Sequence, residues 1–169
     1  MRALLLALLL LFMPAWAGAP PNMSGTWVLD GEASDDMDAI LEARGASWVE
    51  RQAIQHIDVV HEITQSPTQV TIAIRSPIYS RKDTLPTDNK TRTYDSSRMG
   101  RVSYRSYWSE DPPALVTVSD MTLPDGVPAT FVVVRKLSPD GNVMTMDLDL
   151  QANDGRHYQA TRILRRSEP

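Results

Sequence analysis

Alternation between apolar and polar residues is the feature that most constrains the fold of this chain. From His56 towards the C-terminus, short runs with a period of two are separated by turns that contain Pro, Asp, Asn and Gly. Turn signals about every 8–12 residues are typical of an all-β sandwich or barrel. Together with a first strand at Ser24–Asp30, the pattern predicts about ten strands joined by short connections. Because closure removes exposed sheet edges, we predict a closed antiparallel up-and-down barrel.

A helical pattern follows the first strand. Ser34 is the predicted N-cap of a helix that runs to Arg44, since three aspartates in its first turn suit the positive end of the helix dipole. Gly45 stands in the C-cap position, and a second short helix is predicted over residues 46–55. One face of the first helix carries, at spacings of three and four, Met37, Ile40, Leu41 and Arg44. Two short helices separated by one glycine cannot form a bundle core, so we predict a helix-turn-helix lid between strands one and two.

The N-terminal residues have the pattern of a secretory signal peptide. Arg2 precedes a run of eleven apolar residues, and small residues follow that run. We predict a signal peptide over residues 1–17, with cleavage after Ala17, and a barrel domain over residues 18–169. The alternative is a membrane anchor, but eleven apolar residues fall short of the roughly 20 that span a bilayer. We therefore expect an exported protein, periplasmic or extracellular, without a stable membrane anchor after cleavage.

Composition argues against several classes of function. The formal net charge of −4 disfavours a nucleic-acid partner, which needs a basic surface. The chain has no cysteine, which excludes thiol nucleophiles, thiolate metal sites and disulfides, and mildly favours a bacterial periplasm. The histidines His56, His61 and His157 have no recognisable metal-ligand spacing, and the sequence contains no nucleophile or phosphate-loop motif. We therefore predict no catalytic residue, no metal site and no cofactor.

Two arginines on apolar strand faces are the main candidates for a binding site. Arg135 shares a face with Phe131, and Arg162 shares a face with Tyr158. If these faces point inward, each buried guanidinium needs an anion or several hydrogen-bond acceptors. A ligand carboxylate can accept two hydrogen bonds from one arginine. The alternatives are that an arginine stacks on Trp27 and donates to backbone carbonyls, or that the opposite strand faces point inward.

Four segments, taken in order, have counterparts in a known family. They are Gly25-Thr26-Trp27, the lid over residues 34–52, Arg135 just before a turn, and Thr161-Arg162-Ile163 in the last strand. On these residues the chain resembles the fatty-acid-binding proteins of the calycin superfamily, with the lipocalins as more distant relatives. The resemblance implies a ten-stranded barrel around a cavity for a fatty acid, with Arg135 and Arg162 holding the carboxylate. It also implies a tyrosine two residues after the second arginine, where this chain has Leu164.

We therefore expect a monomer that binds and carries one small hydrophobic ligand, a fatty acid or similar amphiphile, without catalysis. The predicted ligand contacts are Arg135, Arg162, Tyr158, Tyr104 and Met146, and the predicted closure residue of the barrel is Trp27. Tyr158 is included because its hydroxyl could replace the missing tyrosine, although Tyr104 could equally be a packing residue.

Two alternatives from other functional classes stay open. The first is a solidly packed barrel that binds a protein partner or acts as an inhibitor. The second is a lipid-modifying or isomerising enzyme on the same barrel. Such an enzyme would need a buried acid–base pair, and His61 is the only inward-facing candidate in the strand pattern.

Overall fold

The computed structural model of the protein describes residues 19–55 and 57–167. The predicted signal peptide over residues 1–17, its cleavage site and the predicted strand start at His56 lie outside the described residues. Within those two ranges, no helix combines the length and the apolar character needed to cross a membrane.

Antiparallel strands and two short helices form the fold. In chain order the ten strands of the described ranges are β1 Gly25–Asp30, β2 Val60–Gln65, β3 Gln69–Arg75, β4 Ser80–Pro86, β5 Arg92–Ser96, β6 Gly100–Glu110, β7 Pro113–Thr122, β8 Pro128–Leu137, β9 Val143–Ala152 and β10 His157–Arg166. The helices are α1 Asp38–Ala43 and α2 Trp48–Gln55, and both lie between β1 and β2. The predicted all-β architecture with its helical insertion is confirmed.

The sheet curls into a half-barrel that is open along one side. Its strand order is β4-β3-β2-β1-β10-β9-β8-β7-β6-β5, so that β1 pairs with both β2 and β10. β4 and β5 are the two edges, and no ladder joins them in the part of the chain that is described. A single bridge between Asp88 and Tyr107 crosses this side. The predicted strand number and up-and-down order are confirmed, whereas the ladder does not continue around the whole circumference.

Alternation along the strands directs one face of the sheet inward. In β8, Phe131 and Val133 are buried, each with 8% of its surface exposed. In β9, Leu148 is buried, whereas Asp147 accepts a hydrogen bond from Lys136 Nζ at 2.7 Å on the outer face. The inward face of β8 is therefore the one that also carries the predicted arginine, and the opposite arrangement is not observed.

The first and last strands meet around Trp27. This residue is fully buried and pairs with Arg166 in β10 and with His61 in β2. Its indole Nε1 donates a hydrogen bond to the Met23 carbonyl oxygen at 2.9 Å, so its one polar atom is satisfied inside the core. Trp27 therefore lies where the chain returns to its own beginning.

The first lid helix starts later than predicted. Ser34 is not its N-cap, because α1 begins at Asp38 and the cap position is occupied by Met37 without a side-chain hydrogen bond. The Ser34 hydroxyl instead donates to the Asp30 carbonyl oxygen at 2.5 Å and accepts from the Ile163 backbone N–H at 2.9 Å. Because these bonds hold the segment beside β10, the helix begins only after the chain has left that strand.

A glycine and a capping box define the rest of the lid. Gly45 follows α1 with a φ of +82°, the left-handed conformation that glycine adopts without strain, as predicted. Before α2, the Ser47 N–H donates to Glu50 Oε2 at 2.7 Å and the Glu50 N–H donates to Ser47 Oγ at 3.3 Å. Ile40, the buried residue of α1, packs in one cluster with Phe131, so the lid covers the inner face of the sheet.

Candidate functional site

A cavity of about 990 Å³ lies between the lid and the inner face of the sheet. Its apolar walls include Ile72 and Ile74 from β3 and Val133 from β8. Two further lining residues, Ile78 and Tyr79, are 62% and 50% exposed, so the mouth of the cavity is on their side. The volume is in the range that accommodates small-molecule ligands in proteins.

The cavity lining is positively charged although the chain as a whole is acidic. Its charged residues are Arg44, Arg81, Lys82, Arg98, Arg135 and Arg162 on the positive side and Glu50 and Asp83 on the negative side. Six positive and two negative groups give the lining a formal charge of +4, against −4 for the whole chain. Because charges interact more strongly where water is excluded, such a cavity favours an anionic group.

Arg135 brings a guanidinium without a counter-ion into the cavity. Its Nε and Nη1 atoms are buried and have no hydrogen-bond partner within the described residues. Burial lowers the pKa of Arg135 to about 10, and the Asp83 carboxylate opposes that effect. Asp83 is itself bonded to Arg81 Nε at 2.7 Å. Arg135 therefore stays charged at neutral pH and has donors available for an anion.

Arg162 lies at the same level of the sheet as Arg135. Met146 in β9 pairs with Arg162 on one side and with Arg135 on the other, and all three residues line the cavity. Adjacent strands are about 4.8 Å apart, so the Cα atoms of the two arginines are about 10 Å from each other. Arg162 Nη1 donates to the Asp35 carbonyl oxygen at 3.0 Å. Burial lowers the pKa of Arg162, with Asp36 and Asp35 opposing.

Arg166, rather than Arg162, is the arginine that stacks on Trp27. Its guanidinium carbon lies 4.2 Å from the centroid of the indole ring. Its Nε donates to the Gly141 carbonyl oxygen at 2.9 Å and its Nη1 donates to the Ser24 carbonyl oxygen at 2.7 Å. The stacked position considered for Arg162 is therefore taken by another residue, and Arg162 faces the cavity. Arg166 lies four residues after Arg162 on the same strand face, and this spacing is the sequence signal that could have identified it.

His61 lies against the two cavity arginines. It is 5% exposed, and its buried Nδ1 has no hydrogen-bond partner among the described residues. Burial, followed by the positive charges of Arg135 and Arg162, lowers the pKa of His61 to about 4. His61 is therefore neutral at physiological pH. The charged groups that act on His61 are two arginines. An acid–base pair would instead require a carboxylate or another proton-transfer group beside it.

Of the two aromatic residues predicted as ligand contacts, Tyr104 lines the cavity and Tyr158 does not. Tyr104 packs edge-on against Tyr94, with ring centroids 5.9 Å apart. Tyr158 lines a separate pocket of about 320 Å³ beside Arg156. The structure therefore brings together Arg135, Arg162, Met146 and Tyr104, and places Tyr158 elsewhere.

Arg44 is a cavity residue that sequence reasoning did not include in the predicted site. It directly follows α1, and its guanidinium carbon lies 4.7 Å from the centroid of the Phe131 ring. Its buried Nε atom has no hydrogen-bond partner within residues 19–55 and 57–167. The signal was present in the sequence, because Arg44 shares a helical face with three apolar residues.

Solved structures resemble this arrangement of sheet, lid and cavity, although no known family model and no curated protein matches the sequence. The REP1-NXSQ fatty acid transporter superposes with a TM-score of 0.63 at 15% identity, covering 87% of this chain and 97% of that one. The Schistosoma mansoni fatty acid binding protein in complex with arachidonic acid gives 0.61 at 22% identity, with 86% and 96% coverage. Human cRBP IV gives 0.61 at 16% identity, with 88% and 100% coverage. The chain therefore has the same fold as these proteins.

Within this fatty-acid-binding-protein fold, the position two residues after Arg162 has no polar group. Leu164 is fully buried and packs in one cluster with Trp27. The described residues also contain no group of three His, Asp or Glu side chains that could hold a metal ion. The chemistry that the cavity offers is therefore apolar surface together with guanidinium donors.

Proposed function

We propose that this protein is an exported, non-enzymatic carrier that binds a fatty acid or a similar anionic amphiphile in its cavity. The observation that carries the proposal is the Arg135 guanidinium, which lines the cavity and whose buried Nε and Nη1 have no partner among the described residues. A buried charge of this kind is costly unless an anion accepts its hydrogen bonds. A carboxylate beside Arg135 and Arg162 would supply those acceptors.

The two parts of the site would have different roles. The apolar walls would provide most of the affinity, at about 25 cal/mol per Å² of apolar surface removed from water. The arginines would fix the orientation of the headgroup, because a guanidinium binds a carboxylate with defined geometry. Proteins with the same fold include a fatty acid transporter and a fatty acid binding protein in complex with arachidonic acid, which supports this class of ligand.

The alternatives receive less support. A cavity of about 990 Å³ is not the solid interior that a packed binding module would have. An enzyme would need an acid or base that changes its protonation in turnover, whereas the pKa of His61 is lowered to about 4. Export rests on the N-terminal sequence pattern of residues 1–17, and detection of the mature protein in the periplasm or medium of its host would test it.

Displacement of a fluorescent fatty-acid probe tests the proposed binding. Hexadecanoic acid should displace the probe. Arg162→Leu should lower the affinity of the protein for hexadecanoic acid by about tenfold or more, because a charge-assisted hydrogen bond contributes about 1.5–3 kcal/mol. The affinity for hexadecanol, which has the same chain without the charge, should fall much less. Arg101→Leu is the matched control, since Arg101 on β6 is 75% exposed and does not line the cavity.

Two results would contradict the proposal. If the wild-type protein takes up no probe at any concentration, the cavity does not bind lipids. If Arg162→Leu weakens the acid and the alcohol equally, the arginine does not recognise a headgroup. The same pair of ligands applied to Arg135→Leu tests the other half of the site.

A further inference from the structure

A second cationic group without a counter-ion faces the cavity from the lid. Arg44 follows α1, its guanidinium lies over the Phe131 ring at 4.7 Å, and its Nε is buried without a partner in the described part of the chain. A cation–π contact stabilises the charge but satisfies none of the N–H donors. Burial is also the main cause of the lowered pKa of Arg44. Arg44 is therefore in the same situation as Arg135, at a different place.

The protein's own carboxylates at the cavity are already engaged. Glu50 pairs with Arg98, and Asp83 pairs with Arg81. No ion pair joins a carboxylate of residues 19–55 or 57–167 to Arg44. Burial is the largest influence on the pKa of Arg44. Tyr94 and Tyr79 raise this pKa, and the positive charge of Arg81 lowers it. None of the described carboxylates therefore serves as the anion for Arg44.

The two unpaired arginines are separated by an apolar stretch of cavity wall. Phe131, under Arg44, and Arg135 lie four residues apart on the inner face of β8, which corresponds to about 13 Å along the strand. Val133 lies between them and pairs with Leu148, and both of these residues line the cavity. The wall is thus cationic at two ends and apolar in the middle.

We propose that the natural ligand carries an anionic group at each end of an apolar chain, as a long-chain dicarboxylic acid does. One carboxylate would lie at Arg135 and Arg162, the chain would cross Val133, and the second carboxylate would lie at Arg44 beneath the lid. This inference rests on the proposed function and specifies its ligand class. A ligand with one carboxylate would leave one of the two buried guanidinium groups without an acceptor.

Calorimetric titration with two acids of equal chain length tests the inference. The ligands are dodecanedioic acid and dodecanoic acid, and the proteins are the wild type, Arg44→Met, Arg44→Lys and the exposed control Arg101→Met. The wild type should bind the diacid about tenfold or more tightly than the monoacid, since each charge-assisted bond adds about 1.5–3 kcal/mol. Arg44→Met should abolish that preference and leave the monoacid affinity within about threefold, because the single carboxylate of the monoacid lies at Arg135 and Arg162 and makes no bond to Arg44. Arg44→Lys should retain part of the preference, and Arg101→Met all of it.

The outcomes separate the two proposals. Equal affinities for the two acids in the wild type, or a preference that survives in Arg44→Met, would contradict the proposal of a ligand with two anionic groups. Monoacid binding would remain supported. Two molecules of dodecanoic acid per protein, with one lost in Arg44→Met, would also overturn it, because Arg44 would then serve a second ligand. If neither acid binds the wild type, the proposed function itself fails and this inference fails with it.

Discussion

Arg162 and Arg166 lie on the same face of β10, four residues apart, and their environments differ. Arg166 has a ring to stack on and backbone carbonyls to bond, all from the protein. Arg162 has one carbonyl acceptor, that of Asp35, and otherwise faces the cavity. The difference follows from the register, because Trp27 pairs with Arg166. One arginine therefore contributes to the folded structure and the other is available to a ligand.

Arg166→Met should lower the free energy of unfolding by about 2–3 kcal/mol, because it removes a cation–π contact and charge-assisted hydrogen bonds to two carbonyls. Hexadecanoic acid affinity should be unchanged. Urea denaturation and probe displacement measure the two effects. Arg165→Met is the matched control, and its ion pair with Asp30 is at the surface, so little change is expected there. A loss of affinity with unchanged stability would assign Arg166 to the ligand.

His61 should make the stability of the ligand-free protein dependent on pH. Its pKa is about 4 in the folded state and about 6.5 in the unfolded chain, so the unfolded state takes up the proton first as the pH falls. The contribution of His61 to the free energy of unfolding is complete above about pH 6.5 and declines towards pH 4. At about pH 4.5 the loss caused by His61 is about 2–3 kcal/mol. Denaturation at pH 7 and at pH 4.5 should show a smaller decline for His61→Gln. An identical decline in both proteins would contradict this assignment.

At the scale of elements, the strands were predictable and the start of the lid was not. Strand alternation depends on neighbouring residues, so the sequence placed Arg135 on an apolar strand face and Asp147 on a polar one, and left open which face of β8 points inward. Ser34 was assigned as an N-cap from the same local logic, but its hydroxyl bonds to Ile163, which is 129 residues away. No local pattern reports such a partner. The sequence left open whether Arg162 stacks on Trp27 and did not indicate Arg166 for that position, because the answer depends on how the first and last strands pair.

Gly45 joins the two lid helices in a way that a single methyl group should disturb. Its φ of +82° disfavours L-residues, and a Cβ atom there would lie 2.7 Å from Cγ of Pro124. Gly45→Ala should therefore lower the free energy of unfolding by more than the roughly 1–2 kcal/mol that the backbone conformation alone costs. Gly126→Ala is the control, with a φ of +88° and open space around the Cβ position. Equal losses in thermal unfolding would mean that the lid does not press against Pro124.

At the scale of the whole molecule, the inside and the outside have opposite charge. The chain carries −4, whereas the cavity lining carries +4. Surface charge of one sign favours solubility, and it is screened by salt over about 10 Å at ordinary ionic strength. Salt screens the exposed cavity residues Arg81, Lys82 and Arg98 in the same way, whereas the buried guanidinium of Arg135 is screened much less. The affinity for an anionic ligand at Arg135 should therefore depend little on salt concentration.

A cavity that holds unpaired cations should reduce the stability of the empty protein. Arg135→Met keeps most of the side-chain volume and removes a buried guanidinium whose Nε and Nη1 have no partner in the described structure. We expect the ligand-free variant to gain about 1–3 kcal/mol in the free energy of unfolding, since an unsatisfied buried polar group costs about that much. Its affinity for hexadecanoic acid should fall by about tenfold or more.

The stability advantage of the variant should then shrink by about 1 kcal/mol or more when ligand is added. At a concentration about a hundred times the dissociation constant, bound ligand stabilises the wild type by about 2.7 kcal/mol, and the weakened variant gains less. Thermal unfolding of both proteins, with and without hexadecanoic acid, measures the four values. A ligand-free variant that is less stable than the wild type would show that Arg135 is a structural residue. Higher stability together with weaker binding would instead show that the arginine is retained for the ligand at the expense of the fold.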